Sequence, residues 1–302
     1  MPRITSRPES LAFRVFRGND AVRSGAITPE QLRSSAWLRK RYNVYADSRL
    51  EDDHALSCRA AAAVLPSGTV IAGRSAAYLL GVQHAADGAS DVEVYPRVET
   101  RLGHRAGIRV HTGTLEPADL IVTSGLSSTC AARTAWDVAR WLRAVEAVPI
   151  VDSLLGSGAV TPAELDVYAR LRLGLRGSRR AADAFRLADG RAQSPRESEL
   201  RVRLVGAGLP KPVAQLPVML PGGLILHPDL AWEEYRVAAE YDGLWHATAD
   251  QLHRDRRRLN RLVGAGWIVL HVTSQRLRTD MPGVVREVRD ALISRGWRPR
   301  SG

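Results

Sequence analysis

Lysine is almost missing from this chain of 302 residues; Lys40 and Lys211 are its only examples. The positive charge is therefore arginine almost throughout, and a mechanism that needs a catalytic lysine has two places to find one. Cysteine is equally scarce. Cys58 and Cys130 alone neither staple a fold nor build a cysteine-based zinc site. No apolar run is long enough to span a membrane, and the opening MPRITSRPESLAFRVFRG has no apolar core of signal-peptide length. The expectation is a cytoplasmic protein with no membrane partner.

What is present points toward a polyanion. The formal net charge is +11 and the pI is near 10.5, a balance that favours nucleic acid. DNA is the expected partner, and nothing in the composition excludes RNA. The hydrophobic fraction of 45% is ordinary for a globular protein, and the length fits two or three domains.

Along the chain the patterning predicts an α+β protein. Residues 10–80 open with two short helices around Gly25, the second started by a Thr28-Pro29-Glu30-Gln31 capping box and running to about Ser35. A third element at Trp37–Arg41 leads into a strand at Asn43–Ala46. That order fits a winged helix-turn-helix, a DNA-binding module, and equally a plain three-helix packing unit. Residues 81–187 read as a small α/β middle region with a long helix over 129–147. It closes in an arginine-rich stretch, RLRLGLRGSRRAADAFRLADGR, that has the look of a linker or solvated helix face. From 188 to 302 the order is αβββαβ with a closing helix, its strands at 214–218, 224–232, 236–241 and 267–272.

The candidate chemistry sits between Asp229 and His246, in DLAWEEYRVAAEYDGLWH. Strand periodicity points Glu240 and Asp242 the same way. If the two runs pair as a hairpin, Asp229 faces the same groove. Three acids on one rim repel unless a cation lies between them, and a hard divalent ion is the obvious one. Each also has a plainer reading. Asp242-Gly243 is a common turn pair, Asp229 is a polar strand entry, and Glu240 at the end of a buried strand wants a metal or an arginine. Glu197 completes a capping box with Ser194. His246 beside Trp245 is a packed histidine or a general base, and Arg258 pairs with Asp255 or meets a phosphate.

Two resemblances sharpen this. SPRES at 194–198, HPDLAW at 227–232, VAAEYDGLWH at 237–246, RDRRRLN at 254–260 and GWIVLHVT at 266–273 resemble the PD-(D/E)XK nuclease fold. More narrowly, they resemble uncharacterised bacterial proteins related to the very-short-patch repair endonuclease. VFRGNDAVRSGAITPEQL, GRSAAYLLG at 73–81 and ARTAWDVA at 132–139 resemble the winged-helix antitoxin domain of abortive-infection systems. The first resemblance implies Asp229 and Glu240 as metal ligands, with Glu197 assisting from its helix. The fold's usual lysine would stand at 242, where this chain has aspartate. That makes Asp242 a further ligand, and His246 the candidate that takes the lysine's place. Arg258 would offset charge on the scissile phosphate.

The function expected from these features is a Mg²⁺- (or Mn²⁺-) dependent endonuclease with an N-terminal DNA-binding module. The alternative is a DNA-binding regulator, antitoxin-like, whose nuclease fold is catalytically degenerate. The missing lysine favours the alternative.

Overall fold

The computed structural model describes residues 7–96, 103, 105–243 and 260–299, and the chain divides into two units, residues 1–138 and 139–302. The architecture is α+β throughout, as the patterning predicts, with helices and several separate sheets. The boundaries drawn from the sequence, near 80 and 187, each lie inside one of these units. No described helix is long and apolar enough to cross a membrane.

The first unit opens with strand β1 (Val15–Arg17), helices α1 (Gly18–Arg23) and α2 (Pro29–Leu32), and strands β2 (Trp37–Arg41) and β3 (Val44–Asp47). The three strands form one antiparallel sheet in the order β1-β3-β2. The capping box at α2 forms as expected: Thr28 Oγ1 accepts from Gln31 N, and Gln31 Oε1 accepts from Thr28 N. The helix nevertheless ends at Leu32 rather than near Ser35, because Ile27, Ala36 and Trp37 turn the chain into the small core. Phe16 meets Trp37 edge-on there, ring centroids 5.0 Å apart. Gly18 is required at the start of α1, since a Cβ would stand 2.7 Å from the Tyr45 ring.

The rest of the first unit is built on a five-stranded mixed sheet. Helix α3 (His54–Ala62) precedes β4 (Val70–Ile71), and α4 (Gly73–Leu79) precedes β5 (Val92–Tyr95) and β6 (Ile108–Val110). A hairpin of β7 (Leu120–Thr123) and β8 (Leu126–Thr129) completes the sheet, in the order β6-β5-β4-β8-β7. Cys58, Ala61, Ile71, Ala76, Val92 and Val94 form its core. Val92–Tyr95 and Ile108–His111 alternate as strands do and form β5 and β6, whereas the short β4 and the β7–β8 hairpin show no clear alternation. The long helix expected over 129–147 is two helices, α5 (Ala131–Trp141) and α6 (Ala144–Gly156). The division between the units falls within α5.

In the second unit α6 is followed by α7 (Pro162–Arg170), α8 (Ser178–Leu187) and α9 (Pro195–Gly206). The arginine-rich stretch is thus partly the ordered helix α8, whose Ala181 and Ala184 are buried. Asp152 on α6 and Arg201 on α9 form a fully buried ion pair, joined by Ser198. That contact places residues 139–187 with the C-terminal sheet.

The sheet itself runs β14-β13-β12-β9. Its members are β9 (Val213–Ala214), β12 (Leu230–Trp232), β13 (Val237–Asp242) and β14 (Ile268–Thr273); a separate hairpin joins β10 (Val218–Met219) to β11 (Ile225–Leu226). The single strands expected at 214–218 and 224–232 are each broken in two, around Pro217 and His227-Pro228, because proline cannot donate to a ladder. Helices α10 (Ser274–Thr279) and α11 (Met281–Ser294) close the chain. Alternation along β13 serves two cores. Val237 and Ala239 pack with Leu200, Leu204, Val288 and Leu292, while Ala238 packs on the other face with Leu262 and Trp267.

Candidate functional site

The predicted acids of the C-terminal sheet lie close to one another. Leu230 is paired with Ala214 on one side and Ala239 on the other. One residue earlier, the same register sets Asp229 opposite both Gln215 and Glu240. Gln215 N donates to Asp229 O at 3.1 Å, and Tyr241 N donates to Asp229 Oδ2 at 2.8 Å. Across the parallel pair, Glu240 is matched with His271. Directly paired residues share a face, so Glu240 and His271 stand together on the face of β13 that also carries Ala238, with Asp229 and Gln215 beside them just beyond the ends of their strands.

Glu197 joins this group from α9. The expected capping box is only half formed: Ser194 Oγ accepts from Glu197 N at 3.2 Å. The Glu197 carboxylate does not return to Ser194. Its Oε2 accepts from Gln193 N at 3.0 Å and from Gln215 Nε2 at 3.2 Å. The same Gln215 amide donates to Asp229 Oδ1 at 3.0 Å. One side-chain amide therefore bridges two carboxylates, and its two N–H groups suit that task. Glu197, Gln215 and Glu240 are buried.

Asp242 behaves differently. It lies on the same face of β13 but is half exposed, and its Oδ2 is 3.0 Å from His271 Nδ1. His246 and Arg258 fall outside the described residues. Sequence reasoning missed Gln215 and His271. His271 sits inside the quoted GWIVLHVT, yet only the pairing of β13 with β14 shows that it shares a face with Glu240.

Two neighbouring carboxylates are a hard-oxygen pair of the kind Mg²⁺ or Mn²⁺ takes. Among the described residues, however, no group of three or more His, Cys, Asp or Glu side chains is gathered closely enough to hold a metal ion. The third ligand expected at Asp242 is engaged by His271.

The N-terminal sheet carries the other predicted surface. Its two helices and β2–β3 hairpin have the order of a winged helix, but α2 is a single turn. Asn19, Arg23, Arg33 and Tyr45 line the shallow groove beside it.

Comparison with known proteins matches the part of the chain between these two surfaces. Residues 67–205 match the family described as AbiEi antitoxin C-terminal domain. That segment begins beyond the N-terminal sheet and ends within α9, so it takes in the five-stranded sheet, α5 to α8 and Glu197. Two curated proteins of Mycobacterium tuberculosis are each 33% identical to this chain over 193 residues, which is 64% of this chain and 67% of theirs. They are the uncharacterized protein MT2308 of strain CDC 1551 / Oshkosh and the uncharacterized protein Rv2248 of strain H37Rv. The chain belongs to their family. No solved structure matches it. The antitoxin resemblance seen in GRSAAYLLG and ARTAWDVA thus lies within a matching family segment. No match supports the repair-endonuclease resemblance of 194–278.

Proposed function

We propose that this family member is a DNA-binding, antitoxin-like regulator. The observation that carries the reading is the antitoxin family match over 67–205. A small three-stranded, two-helix unit precedes it, in a chain of net charge +11. Such an excess of arginine favours a phosphate backbone, and its affinity should fall steeply with salt. The test is fluorescence anisotropy of the full chain with duplex DNA from the region upstream of its own reading frame, titrated across salt concentrations. Tight, salt-sensitive binding with preference over a scrambled duplex is the expected result. Failure to bind either duplex at low salt would overturn the proposal.

A second reading has a specific observation in its favour. Asp229 accepts from the amide of Tyr241, next to Glu240 on β13, and Glu197 is held to Asp229 through Gln215. On this reading the second unit is a divalent-metal-dependent phosphodiester hydrolase acting on DNA, or on RNA. Asp229 and Glu240 would hold the Mg²⁺ or Mn²⁺, whose chemistry is to polarise the phosphate and acidify a bound water. Asp242, tied to His271, would stand at the rim of the site, with His246 the candidate base and Arg258 the candidate phosphate contact. Plasmid and RNA cleavage with and without metal, run beside Asp229→Asn, decides it. Metal-independent or Asp229-independent cutting, or none at all, removes the hydrolase reading and leaves the regulator.

A further inference from the structure

The second unit contains a groove of about 1140 Å³, apart from the acids of the C-terminal sheet. Sites that hold a small organic molecule span roughly 300–1,000 Å³ and combine an apolar lining with a few fixed polar groups. The floor here is Leu155 of α6, Leu165 of α7, Phe185 of α8 and Pro212. Leu165 and Pro212 are buried, Leu155 and Phe185 half-buried. Gly156 and Gly190 also line it and are packed together. A Cβ on Gly156 would stand 2.7 Å from the Gly190 carbonyl oxygen, and one on Gly190 would stand 2.8 Å from Leu155 Cβ. Neither position accepts a side chain, so that wall of the groove is fixed.

Arg186, Arg191, Lys211, Asp166 and Asp189 supply its charges. Both acids are answered. Asp189 takes the Arg191 guanidinium at 2.9 and 2.8 Å and accepts from Ala214 N at 3.3 Å. Asp166 pairs with Arg170, and Arg186 with Asp183. Lys211 stands apart. Its Nζ donates to the carbonyls of Arg186 and Ala188 at 2.7 and 3.2 Å, and it forms no ion pair among the described residues.

An ammonium carries three N–H donors, so two bonds to carbonyls fix its position and leave one. Loss of solvation, chiefly, lowers its pKa. An anion at the remaining N–H would favour the charged form again. The charge balance of the groove thus suits one negative group, and its floor suits an apolar body. A phosphate backbone supplies the anion and leaves the floor uncovered.

We propose that this groove binds a small organic anion, an aromatic carboxylate or sulfonate, with Lys211 holding the acid group. Leu165, Phe185 and Pro212 cover the body, and the Phe185 ring offers it an aromatic partner. The site is separate from Glu197, Asp229 and Glu240, and it does not depend on the DNA-binding reading.

The test titrates the full chain with 8-anilinonaphthalene-1-sulfonate and with its uncharged relative N-phenyl-1-naphthylamine, followed by fluorescence. The sulfonate should bind saturably, one per chain, and more tightly than the uncharged compound. Lys211→Gln should weaken the sulfonate about tenfold, the size of one lost charge-assisted hydrogen bond. Unchanged binding of the uncharged compound would show that the groove is intact in that variant. Ala182 is exposed on the groove wall, so Ala182→Trp adds bulk there without entering the core. It should abolish binding of both compounds at an unchanged melting temperature. Equal affinity for the two compounds, with Lys211→Gln altering neither, overturns the anion assignment. Sulfonate binding that survives Ala182→Trp, or no saturable binding at all, overturns the site. Displacement of the sulfonate by duplex DNA would make the groove part of a nucleic-acid surface, overturning the small-molecule assignment and leaving the DNA-binding reading standing.

Discussion

Asp229, one residue before β12, accepts at its Oδ2 from the backbone amide of Tyr241, the neighbour of Glu240 on β13, at 2.8 Å. The next residue along β13 is Glu240, and two acids that close repel unless a cation lies between them. The arrangement makes the second reading testable without any activity assay. If a divalent cation binds between the two acids, the melting temperature of the wild type should rise with Mg²⁺ or Mn²⁺. Saturation at a hundredfold excess over Kd is worth about 2.7 kcal/mol. Asp229→Asn should abolish the rise. An identical response in both proteins would place any bound metal elsewhere.

Gln215 separates Glu197 from Asp229 by giving one N–H to each. Gln215→Leu keeps the bulk and removes both donors, leaving two neighbouring carboxylates with one partner fewer. A loss of about 1–3 kcal/mol follows from unsatisfied buried acceptors, read as a lower denaturant midpoint at unchanged slope. Gln215→Glu should cost more, by placing a third acid directly beside Glu197 and Asp229.

Asp47 ties the N-terminal sheet together. Its buried carboxylate accepts from Phe13 N, from Arg49 N and from the Arg49 guanidinium. The Arg49 hydrogen bonds, chiefly, hold its carboxyl well below the usual carboxylate range. The charged form is favoured in the folded state, so the unfolded chain takes up the proton first. The stability this group contributes is complete above about pH 4, the ordinary carboxylate value, and is lost as the pH falls toward the depressed folded value. Asp47→Asn should flatten the acid limb of the stability curve. An acid limb of unchanged slope would show that other carboxyls set it.

The Asp152–Arg201 pair is fully buried between α6 and α9. Removing one partner strands the other charge, so Arg201→Met should cost about 3–5 kcal/mol. The double variant Asp152→Leu/Arg201→Met should recover much of that loss. A double variant as unstable as the sum of the two singles would mean that the pair is not coupled.

Local chemistry made several elements legible. Thr28-Pro29 and Thr161-Pro162 each open a helix with a reciprocal cap, because that pairing involves residues three apart and needs nothing distant. Val92–Tyr95 alternates as a strand does, and the run 236–241 reads as one, matching β5 and β13. Ser194 and Glu197 show the limit of such reading. The spacing is that of a capping box, yet the carboxylate bonds to Gln215 instead, a partner 18 residues away.

The amino-acid order alone determined the α+β class, the positive charge, the near absence of lysine and the presence of acids at 229, 240 and 242. These follow from composition and from short-range periodicity, which any stretch of chain carries by itself. Only the tertiary structure decided that Gln215 joins Asp229 to Glu197, that His271 takes Asp242, and that Arg201 binds Asp152 across the second unit. Strand register and helix docking are set by which apolar faces bury together. That choice couples residues far apart in sequence, so no local pattern records it.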